Sequence, residues 1–359
     1  MSWEGAMEVP ELEDLMALLP ALLQSLEALG FLSRYLNPAD FGSVMAAAGT
    51  PDEALRAART RLETWPPRLA GVRGVLEAAC DETLAGFDEL RAATDLRAIF
   101  RALRHLPRAQ EALYPLAGDL PPVSRFFLEP GVRGDAARLQ RLAHAEERDD
   151  TGVFHIDNEP GSRGGFSLYV PEDYSPERPA PLVMALHGGS GNGRGFLWSW
   201  LRDARGHGAI VAAPTAIGET WALMGRDVDT PNLARILERV RGGWSVDPER
   251  LLLTGMSDGG TFCYVSGLES ESPFTHLAPA CAAFHPMLAQ MADPDRLDGL
   301  PIHLTHGVLD WMFDVDQARE ARRSLTAAGA RVTYLELGDL SHTYPREVNP
   351  AVLAWLDGA

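Results

Sequence analysis

The chain has 359 residues, 46% hydrophobic and 23% charged. At roughly 150 residues per domain this is enough for two domains, with a core that needs no disulfide or metal staple. Its 50 acidic residues outnumber 32 basic ones, and the formal charge of −18 is spread over both halves; such a surface repels phosphate backbones and anionic headgroups, so neither nucleic acid nor a membrane surface is an expected partner. Every basic residue is arginine, which excludes a Schiff-base lysine, a P-loop lysine and a kinase strand lysine.

The first residues are acidic, unlike the positive start of a signal peptide. No apolar run approaches the ~18 residues of a membrane span. Cys80, Cys263 and Cys281 are odd in number, include no CxxC and match no zinc spacing. The expectation is a cytoplasmic chain with no membrane span, no metal and no cofactor.

Residues 1–148 read as successive helices. Leu12, Leu15, Leu19, Leu22, Leu23, Leu26 and Leu29 form a stripe at helical spacing, with Pro20 expected to kink or divide it. Thr50-Pro51-Asp52-Glu53 predicts the next helix start, Thr50 capping and Pro51 at the first helical position. Further helical patterns cover 68–92, 94–105, 107–116 and 134–147. A polar hinge, Glu147-Arg148-Asp149-Asp150-Thr151-Gly152, ends this part. Beyond it, strands are predicted at 153–156, 166–170, 181–186, 209–213, 251–254, 278–284, 301–305 and 331–337. Helices are predicted at 192–204, 231–242, 258–268, 315–328 and 347–357. The expected fold class is α/β, with a mostly parallel central sheet in 149–359 preceded by an all-helical domain, 1–148.

In such sheets, reactive residues lie just past the carboxyl ends of strands. Leu251-Leu252-Leu253-Thr254 leads into Gly255-Met256-Ser257-Asp258-Gly259-Gly260 and then a helical pattern. This is G-x-S-x-G in the strand–turn–helix setting that lifts a serine hydroxyl clear of the sheet. A serine nucleophile needs a base and an orienting acid. His342, after the last strand, is the expected base. Asp310, just past strand 301–305, is the expected acid, with Asp314 as rival; Asp314 also precedes the helix 315–328, where a carboxylate suits the N-cap. The buried run Leu182–Leu186 is followed by His187-Gly188-Gly189-Ser190-Gly191, a turn whose backbone can approach a substrate oxygen. The backbone N–H groups of Gly189 and Asp258 are the expected oxyanion donors. Trp198, Trp200, Met224, Phe284, Met287, Met312 and Phe313 fall in loops that should border the site, and Trp221 and Trp311 are the residues expected to face substrate. His303 and His306 point to opposite faces of a strand and are poor joint metal ligands.

Residues 152–359 resemble an α/β-hydrolase of the phospholipase/carboxylesterase type, and are similar also to dienelactone hydrolases and polyhydroxyalkanoate-depolymerase-like esterases. The resemblance rests on Leu186-His187-Gly188-Gly189, Gly255-Met256-Ser257-Asp258-Gly259, His306-Gly307-Val308-Leu309-Asp310 and Ser341-His342-Thr343, in that order. The sequence departs from the usual pattern at Phe313-Asp314 and Ser341. The resemblance implies a serine carboxylic-ester hydrolase, working through an acyl-enzyme on small to medium acyl esters. A serine peptidase of the prolyl-oligopeptidase type and a non-catalytic hydrolase-fold binding protein are the alternatives. For residues 1–148, capping the site, forming a homodimer and binding a partner all stay open.

Overall fold

The computed structural model describes residues 7–358. The acidic start weighed above against a signal peptide lies largely outside them. The chain divides into two compact units, Met1–Ala143 and His144–Ala359, just ahead of the boundary expected at 148/149.

The first unit is helical. Its first helix, Val9–Arg34, runs unbroken through Pro20, so the expected division does not occur. Leu18, Leu22, Leu26, Leu29 and Leu32 are its buried stripe, and it packs on helices Pro51–Arg59 and Ala70–Ala92. Among the described residues, this helix is long and apolar enough, by length and composition alone, to cross a membrane, which corrects the expectation that no run approaches that length. Gln24, Ser25 and Glu27 interrupt the run in the sequence without lowering its average below that of a span, and half of the stretch is buried. Thr50 precedes the helix Pro51–Arg59, but its side chain makes no capping hydrogen bond, because its backbone is not in the extended conformation that aims a cap hydroxyl at the first turn.

The second unit holds one eight-stranded sheet: β1 Gly152–Ile156, β2 Phe166–Val170, β3 Ala180–Leu186, β4 Ile210–Pro214, β5 Val246–Met256, β6 His276–Ala280, β7 Pro301–Gly307 and β8 Arg331–Leu337. The order across the sheet is β1-β2-β4-β3-β5-β6-β7-β8. β2 pairs antiparallel with both β1 and β4, and every other pair is parallel. β3, apolar at every position from Ala180 to Leu186, is buried throughout, as a strand of a parallel sheet covered on both faces must be. β6 stops at Ala280, short of the predicted 284, because Cys281 turns into the left-handed region at φ +46°.

The chain leaves β3 toward β4 on one side, while β5 lies on the other. That reversal opens a crevice at the carboxyl ends of β3 and β5. Leu186 pairs with Gly255 there, which sets the glycine turn after β3 beside the serine turn after β5.

Candidate active site

β5 ends at Met256, and Ser257 is the N-cap of the helix Asp258–Gly267. Ser257 has φ +57° and ψ −123°, a strained backbone for a residue with a Cβ. The flanking glycines make the turn possible. A Cβ on Gly255 would lie 2.6 Å from the Gly259 carbonyl carbon, and one on Gly259 would lie 2.5 Å from the carbonyl oxygens of Leu186 and His187. The Ser257 amide donates to the Ala280 carbonyl at 3.1 Å, tying the turn to the end of β6.

The structure brings Asp310 and His342 to this serine; His342 is 85 residues from Ser257 along the chain and 32 from Asp310. His342 Nε2 lies 2.9 Å from Ser257 Oγ, and His342 Nδ1 lies 3.0 and 2.9 Å from the two Asp310 carboxylate oxygens. A carboxylate only accepts hydrogen bonds, so His342 carries its proton on Nδ1 and Nε2 is free to accept from the serine hydroxyl. All three side chains are buried. Burial by itself pushes the Asp310 carboxyl up; the hydrogen bonds from His342 and from the Phe313 and Met312 amides outweigh it and hold the group below its ordinary value. Those amides donate to Asp310 Oδ1 at 2.8 and 2.9 Å. Asp314 lies elsewhere in the same loop: it caps the helix Val315–Ala327, accepting from the Asp316 amide at 2.8 Å.

The sheet order, the serine at the tight turn after β5, and an acid and histidine on the loops after β7 and β8 coincide in one unit. The second unit has the α/β-hydrolase fold. The chain matches no protein-family model. It is similar to a bifunctional acetylxylan esterase/xylanase of Neocallimastix patriciarum, 24% identical over 163 residues covering 44% of this chain and 23% of that protein. It is also similar to feruloyl esterase C of Emericella nidulans, 29% identical over 117 residues covering 30% of this chain and 43% of that one. The chain thus spans less than half the length of these curated relatives. Among solved structures, a thermostable esterase aligns with a TM-score of 0.47 and 23% identity over 58% of this chain and 63% of that one.

The turn after β3 in this hydrolase fold approaches Ser257 closely. A Cβ on Gly188 would lie 3.5 Å from the Ser257 Cβ. The two expected oxyanion donors, Gly189 and Asp258, flank that approach, and the position of a Gly189 Cβ is 2.7 Å from Asp258 Oδ2.

The two expected substrate-facing tryptophans differ. Trp311 is 40% exposed, with its ring edge-on to His342 at 5.8 Å. Trp221 is 2% exposed, and its indole N–H donates to the His187 carbonyl at 2.7 Å while its ring stacks on Phe262. It braces the glycine turn, which corrects the expectation that it faces substrate: an indole packed on both the Phe262 and the His187 rings buries best with its N–H on a backbone oxygen. Trp198 and Trp200 are likewise buried. Phe313 packs edge-on to His342 at 5.3 Å.

Three supporting residues escape sequence reasoning. His306 lies 2.8 Å through Nε2 from the Phe313 carbonyl and 3.4 Å from Asp310, so it steadies the acid loop. Asp229, fully buried, accepts from the amides of Ile217 and Ala222 at 2.9 and 2.8 Å and fixes the loop that carries Trp221. His187 accepts from the Ala216 amide at Nε2, 3.1 Å, and faces the Gly188 carbonyl through Nδ1 at 2.6 Å, which fixes it as the neutral Nδ1–H tautomer. The pattern of a histidine before two glycines after a strand is the one signal that could have marked it.

Burial pushes the His187 imidazole down from 6.5 to about 4. Between those two pH values the unfolded chain binds a proton that the folded chain refuses, so folding stability falls as pH drops through this window. The expected loss reaches on the order of 3 kcal/mol near pH 4. His187→Gln removes this component, and urea midpoints at pH 7, 5.5 and 4.5 should fall less steeply for the variant than for the wild type. Parallel slopes would contradict the neutral assignment.

Proposed function

We propose that the chain is a serine carboxylic-ester hydrolase. The observation that carries this reading is the buried hydrogen-bonded line Ser257–His342–Asp310, with His342 Nε2 free to accept from the hydroxyl at 2.9 Å. Ser257 Oγ attacks the ester carbonyl carbon while His342 Nε2 takes the hydroxyl proton. The carbonyl oxygen becomes an oxyanion between the backbone N–H groups of Gly189 and Asp258. The tetrahedral intermediate collapses, His342 returns the proton to the departing alcohol oxygen, and an acyl-enzyme remains on Ser257. Water then attacks the acyl carbon as His342 takes its proton. The second collapse releases the carboxylic acid and restores the Ser257 hydroxyl. Asp310 stays ionised throughout and stabilises the imidazolium that forms in each half-reaction.

Trp311 and Met312 on the loop after β7, and Met287 at the start of the short helix Met287–Met291 after β6, are exposed apolar side chains, and they suit an apolar acyl group of small to medium size. The similarity to acetylxylan and feruloyl esterases supports the reaction class and adds acetylated sugars and aromatic acyl groups to the substrates worth trying. The test is a panel of p-nitrophenyl esters from acetate to palmitate, with a methyl ester of an aromatic acid, an acetylated xylan and a peptide anilide alongside. Turnover of the small to medium acyl esters with no turnover of the anilide is the expected result. Anilide cleavage at rates matching the best ester would move the reading to a peptidase, and no turnover of any ester would remove it.

A further inference from the structure

Asp258 sits in the first turn of the helix Asp258–Gly267, where an acid is favoured. It directly follows the nucleophile and supplies one of the two proposed oxyanion donors. Its side-chain Oδ2 is only 2.7 Å from where a Cβ of Gly189, the other donor residue, would be. Backbone N–H groups beside a helix N-terminus bind an anion well, and this carboxylate lies against one of the two proposed donor residues. Left to itself it competes with the substrate oxyanion for the same donors.

What holds it back is Thr220. The Thr220 hydroxyl donates to Asp258 Oδ2 at 2.5 Å, the short distance of a charge-assisted O–H···O⁻ bond. Thr220 is itself fixed. Its neighbour Trp221 donates to the His187 carbonyl, the Ala222 amide two residues on is held by buried Asp229, and Arg163 bridges the carbonyls of Gly218 and Gly191, joining this loop to the glycine turn. We propose that Thr220 is a positioning residue of the oxyanion hole: its hydroxyl holds the Asp258 carboxylate off the Gly189 and Asp258 N–H groups and so keeps the hole open for the substrate oxygen. This rests on the ester-hydrolase reading, and its action is felt only where negative charge develops on that oxygen.

The experiment uses the full chain and two readouts: steady-state hydrolysis of a small p-nitrophenyl ester, and the rate at which a small phosphonate labels Ser257, followed by mass spectrometry. Thr220→Val removes the hydroxyl at nearly constant volume. Its expected effect is a fall of about tenfold in both kcat and labelling rate, with KM within a factor of about two, because the interaction lost is one realised in the transition state. Thr220→Ser keeps the hydroxyl and restores both rates to within about threefold of the wild type. Asp258→Asn added to Thr220→Val recovers most of the lost labelling rate, since a neutral amide competes poorly for an anion site. Unchanged rates in Thr220→Val, no rescue by Thr220→Ser, or no recovery in the double variant would each overturn the proposal. A wild-type protein that the phosphonate leaves unlabelled would instead overturn the role of Ser257 itself, and the two failures are thereby told apart.

Discussion

Ser257→Ala is expected to lower kcat for a small acyl ester by about 10⁴-fold or more while the protein stays folded. The variant loses one oxygen. Alanine carries the same Cβ through the strained turn at φ +57° that the serine occupies, and the space set aside by Gly255 and Gly259 is untouched. The amide of residue 257 still donates to the Ala280 carbonyl. Lost are the attacking oxygen and the hydrogen bond to His342 Nε2. The two oxyanion donors are backbone groups and remain, so a small residual rate over water is expected to survive. Covalent labelling at this position by a phosphonate, present in the wild type, should vanish. Circular dichroism and the thermal midpoint, measured on the same samples, separate loss of chemistry from loss of fold. Near-normal turnover by a folded Ser257→Ala protein would remove the serine mechanism.

The sheet was legible because its signals are local. The β5 run Leu251–Thr254 leads into a turn flanked by glycines, and each of the eight predicted strands meets one in the structure. The relation of Ser257, Asp310 and His342 was legible by chain order, since each follows the end of a strand and parallel strands carry their ends to one edge. What the sequence hid is held by hydrogen bonds between distant residues. Thr220 reaches Asp258, 38 residues on; Trp221 reaches the His187 carbonyl, 34 residues back. Neither partner has a spacing that marks it. A tryptophan in a loop after a strand reads equally well as pocket wall or as buried brace, and only the direction of its N–H decides. The first helix shows the opposite error: Pro20 looks like a break, but tertiary packing of Leu18, Leu22 and Leu26 carries the helix through it.

The second large effect separates two aspartates four residues apart. Asp310→Asn should keep the fold and lose most of kcat at neutral pH, and Asp314→Ala should do the reverse. In the native site, Asp310 Oδ1 accepts the amides of Met312 and Phe313 at 2.9 and 2.8 Å, and Oδ2 lies 2.9 Å from His342 Nδ1. An asparagine has one acceptor oxygen, and the two backbone amides claim it. Its NH₂ group is then turned toward His342 Nδ1, which must accept a hydrogen bond where it formerly donated one. The imidazole proton moves to Nε2, and Nε2 can no longer take the proton of Ser257. The loss expected from a wrong tautomer is about 10⁴-fold in kcat near neutral pH. The Asp314 carboxylate is engaged differently, capping the helix Val315–Ala327 through the Asp316 amide at 2.8 Å. Removing it should cost roughly 0.5–2 kcal/mol of stability and leave kcat within a few-fold. Measuring kcat and the thermal midpoint for both variants gives a crossed pattern, one inactive and stable, the other active and less stable. An inactive Asp314→Ala beside an active Asp310→Asn would mean that the loop rearranges in solution to present the second carboxylate to His342, and the acid assigned here would be the wrong one.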